Sequence, residues 1–117
     1  MTGVQTCALP ILADYGATAG ISGVDVSGCQ MVAAGTTANT PSLTTTHAND
    51  TLVSIAANYT WDSFSIAGGA TQWIYASRPA TVVADEVLTA IGSTQRTWTI
   101  NPANYENLTC AVAITPN

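Results

Sequence analysis

Apolar and polar residues alternate along most of this chain, and Gly, Pro, Asn and Ser cut the alternation at short intervals. A period of two is the mark of pleated backbone whose two faces meet different surroundings. The clearest strand is 51–58, where Leu52, Val53, Ile55 and Ala57 indicate burial. Residues 95–100 alternate strictly, so Arg96, Trp98 and Ile100 share a side and Trp98 is expected in the core. In 108–114, Leu108, Cys110, Val112 and Ile114 form one face, while Thr109, Ala111 and Ala113 form the other. Both faces are apolar or small enough to be covered. Further strands are expected at 17–26, broken near Gly20 and Gly23, and at 41–46, 62–67, 71–76 and 81–90. Residues 31–33 read as a looser segment and 35–40 as a polar loop. Turns are expected at 47–50, where Asn and Asp tolerate left-handed backbone, at Gly68-Gly69, at Gly92-Ser93 and at 101–104. No window of about 12 residues holds a 3.6-residue repeat. The pattern therefore predicts an all-β sandwich or barrel.

Composition narrows the function classes. The chain has two basic residues, seven acidic ones and a formal net charge of −5. Nucleic-acid binding by counterion release needs several Lys/Arg contacts, and this chain has no lysine at all. No apolar run approaches the roughly 20 residues that cross a bilayer as a helix. Neither nucleic acid nor membrane insertion is expected.

The opening MTGVQTCALPI has a separate explanation. Those eleven residues resemble the in-frame translation of a short-read sequencing adapter, with a GTG start read as Met1. Residues 1–11 are therefore expected to be non-native, and 12–117 a single domain truncated on its N-terminal side, from a metagenomic fragment. With Cys7 set aside, Cys29 and Cys110 remain. They can form a disulfide if their strands are adjacent and the compartment is oxidising; the alternative is two buried thiols.

Candidate chemistry is sparse. His47 is the sole histidine, and a zinc site draws on several convergent ligands, so it reads as decoration of an exposed turn. Asp85-Glu86 is the only adjacent acid pair, and neighbours on a strand point to opposite faces. A calcium site using Asp50 or Asp85 lacks the D-x-[DN]-x-[DN]-G loop. Gly20-Ile21-Ser22-Gly23 fails the G-x-S-x-G spacing of a nucleophile elbow. No catalytic residue, metal or cofactor is expected. The aromatic set is the most informative: Tyr59, Trp61, Trp73, Tyr75, Trp98 and Tyr105. Exposed aromatic faces flanked by Asn, Gln and Asp stack sugars, which selects Tyr59, Trp61 and Trp73 as glycan-binding candidates. The competing reading makes all six core or rim residues, with Tyr105 packed at a sandwich corner. Sequons at Asn49, Asn58 and Asn107 occur at a frequency that chance explains.

The succession GVDVSG, PSLTTTHANDTLVSIAA, a Gly-containing hairpin, ADEVLTAIGSTQRTWTI and NLTCAVAITP resembles the C-terminal half of a jelly-roll-like β-sandwich module. Such modules occur in bacterial exported proteins and tailed-phage structural proteins. The likeness covers about residues 19–116 and concerns strand spacing and turn chemistry. It implies a non-enzymatic structural or adhesive module, virion-borne or extracellular, whose partners are other structural subunits or cell-surface glycans, with oligomers expected. An accessory carbohydrate-binding module of a glycan-active enzyme is the alternative.

Overall fold

Alternation becomes pleated strands in the computed structural model, which describes residues 21–59, 63–66, 70–77, 80–101 and 104–117, with backbone alone at 21, 22 and 72–77. Ten strands and no helix occur among the described residues: β1 (Ile21–Val32), β2 (Thr37–Asn39), β3 (Leu43–Thr45), β4 (Thr51–Asn58), β5 (Ser63–Ile66), β6 (Thr71–Ser77), β7 (Ala80–Val87), β8 (Gly92–Thr94), β9 (Thr97–Asn101) and β10 (Asn107–Pro116). The protein is all-β, and every pairing is antiparallel. A five-stranded sheet runs β1-β10-β4-β7-β6; smaller sheets run β2-β9-β5 and β3-β8. The expected turn at Gly68-Gly69, the adapter-like segment and residues 12–20 lie outside the described residues.

Three local expectations are corrected. The looser segment at 31–33 is the end of β1, which stays paired to β10 as far as Val32↔Asn107 and absorbs its irregularity earlier, in register shifts at 21–23 and 24–26. The polar loop 35–40 contains β2, whose Ala38 lies opposite Trp98. Gly92-Ser93 does not turn the chain. It forms β8 against β3, and Gly92 takes φ 134°, which glycine alone adopts cheaply.

Cross-strand partners share a face, so the register sorts the five-stranded sheet into two surfaces. Its inner surface carries Ala111 and Ala113 of β10, Leu52, Ser54 and Ala56 of β4, and Val82 and Ala84 of β7. Small residues there leave room for large ones opposite. Trp98 and Phe64, both buried, pack among Ala38, Ala56, Ala80, Ala84 and Ile100. The Phe64 ring meets Trp98 edge-on, centroids 6.4 Å apart at 89°. Leu43 of β3 fills the other end, against Leu52, Leu88, Ala111 and Ala113.

Polar contacts tie the layers together between these clusters. The Thr109 hydroxyl donates to Asn39 O at 2.7 Å, and Arg96 N–H donates to Thr40 Oγ1 at 2.9 Å. The Gln95 amide donates to Thr40 O at 2.9 Å. Arg96 pairs with Glu86, which lies opposite Leu52 on the inner surface. Burial pushes the Arg96 guanidinium below its ordinary pKa, and the carboxylate partner keeps so enclosed a cation tolerable. Asp85 lies opposite Val53, on the outer surface, so the adjacent acids do point apart.

That outer surface has its own apolar cluster of Val53, Val83, Ile114, Ile55 and Val112, drawn from β4, β7 and β10 without any residue of the smaller sheets. Cys29 and Cys110, direct partners with Cα atoms 4.0 Å apart, are joined there by a disulfide across β1 and β10.

Candidate functional site

One end of the outer surface opens into a groove of about 510 Å³ lined by Met31, Ala57, Asn58, Tyr59, Tyr105, Glu106 and Leu108. Register builds its floor. Met31 of β1 lies opposite Leu108 of β10, and Leu108 opposite Ala57 of β4, so three consecutive strands contribute one apolar row. Two of the three side chains in that row are open to solvent, Met31 at 62% and Leu108 at 43%. Antiparallel pairing of β4 and β10 also brings the residues after Ala57 and before Leu108 to the same sheet end. That places Tyr59 and Tyr105 at the groove, 85% and 52% exposed.

The groove has a rigid support beneath it. Asn58 and Asn107, both buried, point inward; the Asn58 amide donates to Asn107 Oδ1 at 3.0 Å, and the Asn107 amide donates to Tyr105 O at 3.0 Å. The second bond fixes the backbone that presents Tyr105. Burial and mutual bonding also remove Asn58 and Asn107 as glycan acceptors in the folded domain, leaving Asn49 as the exposed sequon.

Such an arrangement combines apolar contact area, two amphipathic rings and a carboxylate at Glu106. Aromatic faces take up the C–H face of a sugar, and acceptors at the rim bind hydroxyls. Of the three glycan candidates read from sequence, Tyr59 lines this groove. Trp61 lies outside the described residues, as does the side chain of Trp73. Tyr105 was expected at a packed corner and is instead half exposed beside Tyr59.

A second constellation gathers at the opposite end of β1 and β4 from the tyrosines. Asp25 of β1, His47 of the β3–β4 turn and Asp50 before β4 bring one ligand atom each within 4.8 Å of one another. Asp25 accepts the Thr46 N–H and the Thr46 hydroxyl, both at 2.6 Å. These two bonds, the hydroxyl's first, push its pKa down to about 2. His47 Nδ1 lies 3.4 Å from Asp25 Oδ1 and 3.1 Å from Thr46 Oγ1. Asp50 is fully buried and neither carboxylate oxygen has a hydrogen-bond partner. Its burial pushes its pKa up, as does the neighbouring Asp25 carboxylate, while the Thr115 hydroxyl and His47 work the other way. The sequence offers Asp50, Asp85 or loop carbonyls for calcium and His47 as decoration of an exposed turn; the fold instead brings Asp25 and His47 to Asp50. The turn itself forms as expected, with Asn49 at φ 67° and backbone bonds Asn49 N–H to Leu88 O at 2.7 Å and Leu88 N–H to Asp50 O at 2.8 Å.

No family model, curated protein or solved structure matches this chain.

Proposed function

We propose that this chain is a non-enzymatic, jelly-roll-like β-sandwich module of a phage virion or an exported bacterial protein, and that it works by adhesive contact with glycans. The observation that carries this reading is the pair of exposed tyrosines, Tyr59 and Tyr105, over the apolar row Met31, Leu108 and Ala57. A ring held at the end of a paired strand loses little freedom on binding, so its contact area converts efficiently into affinity. The Cys29–Cys110 disulfide supports an extracellular or virion setting, because such bonds persist in oxidising surroundings. An acidic chain with few cations suits neutral sugar ligands better than phosphate-rich ones. The alternative reading, an accessory carbohydrate-binding module of a glycan-active enzyme, uses the same groove. Other structural subunits remain candidate partners for the apolar outer surface.

A glycan-array screen of the purified chain tests the reading, followed by titration of the best oligosaccharide. Tyr59→Ala and Tyr105→Ala are each expected to weaken binding about tenfold, the 1.4 kcal/mol scale of a modest interface anchor. An array with no binder, or a binder indifferent to both substitutions together, would overturn it.

A further inference from the structure

We infer that Asp25, His47 and Asp50 form a binding site for a divalent transition-metal ion of the zinc class. The donor set is two carboxylates and one imidazole, Asp25 from β1 and His47 and Asp50 from the turn that leads into β4. Imidazole nitrogen favours zinc and its neighbours over calcium or magnesium, which take oxygen shells. The Asp25–His47 separation fits that choice. Ligand atoms about 2.0–2.1 Å from a tetrahedral zinc lie roughly 3.4 Å apart, and the Asp25 Oδ1 to His47 Nδ1 separation is 3.4 Å.

The independent indication is Asp50. Its side chain is buried, its oxygens have no partner, and it is directed into the space shared with Asp25 and His47. A buried carboxylate that accepts no hydrogen bond is costly, and a bound cation offsets that cost. Among the described residues no fixed cation meets the need: the chain has no lysine, and Arg96 is taken by Glu86. Thr46 holds Asp25 through both oxygens, so that ligand is oriented in advance, as outer-shell partners orient metal ligands. His47, largely exposed, closes the site from the solvent side. A bound ion would pin the β3–β4 turn to β1 beside its register shift, reinforcing an edge strand of the large sheet.

The test is calorimetric titration of zinc chloride into untagged, chelator-treated full-length chain carrying Cys7→Ser, with the disulfide intact so that no thiol competes. One zinc ion per chain is expected, with a rise in Tm on loading. His47→Ala, at an exposed position, should weaken binding at least tenfold, and Asp50→Asn should do the same. Calcium should bind far more weakly than zinc. Absence of saturable zinc binding below about 100 μM, an affinity of order 5 kcal/mol, would overturn the site. So would zinc binding unaltered in His47→Ala, or calcium binding as tight as zinc.

Discussion

Trp98 shows how one residue organises the smaller layer. Strict alternation in TWTI places its ring inward, and the four alanines around it leave the space the indole fills. Its Nε1–H is buried without an acceptor, so the side chain contributes through area and edge contact with Phe64 rather than through its polar handle. Trp98→Ala should therefore cost about 3–5 kcal/mol, the usual loss for a buried large aromatic. Trp98→Phe should cost clearly less, since it removes the unsatisfied N–H along with part of the ring. Urea denaturation of both variants decides. A loss below about 1 kcal/mol for the alanine variant would show that the pocket collapses and the indole is dispensable.

At the scale of elements, β1 lies close over the start of β3, and Gly28 marks the crossing. A Cβ built there meets Leu43 Cδ2 and Pro41 Cβ, each at 3.4 Å. That is ordinary contact, so Gly28→Ala should be neutral or stabilising by up to about 1 kcal/mol, as expected when strand glycine gains a side chain. Gly28→Leu should instead lose about 1–3 kcal/mol by overpacking against a proline that cannot move aside. Equal stability of the two variants in chemical denaturation would mean that β1 and β3 are not pressed together. Legibility in the sequence follows the same local logic. β9 could be read because its alternation persists over the strand, and β4 because a short apolar run bounded by turn residues marks a strand covered on both faces. β2 and β8 have three residues each, too few to show a period, and owe their conformation to β9 and β3. Tyr59 was legible as an exposed aromatic, whereas Met31, Leu108 and Tyr105 join it only through register. The Asp25–His47–Asp50 cluster was equally hidden, because the fold brings Asp25 to a turn more than twenty positions downstream.

Across the whole molecule, pairing is overwhelmingly between strands distant in sequence. Among the described strands, β6 and β7 are the sole consecutive neighbours; every other pairing joins strands with at least one other between them in the chain. Loop-closure entropy must be met before such contacts reward it, which slows folding and favours covalent help. The disulfide supplies that help where it counts most, tying β1 to β10, the first and last described strands, over a sequence separation of 81. Chain-entropy arguments assign a loop of this size a stabilisation of about 4.5 kcal/mol, acting on the unfolded state. Ordinary domains have only about 5–15 kcal/mol in total, so loss of the bond should leave this one near its threshold. A Cys29→Ser/Cys110→Ser variant should lose about 2–5 kcal/mol relative to the oxidised chain. Because Cys29 is exposed on the outer surface, mild reductant should reach the bond without prior unfolding and reproduce the loss in the native sequence. Denaturation midpoints with and without dithiothreitol measure both. A difference below about 1 kcal/mol would show that the β1–β10 register, continuous from Gly23↔Thr115 to Val32↔Asn107 apart from its one shift, holds the sheet edge unaided.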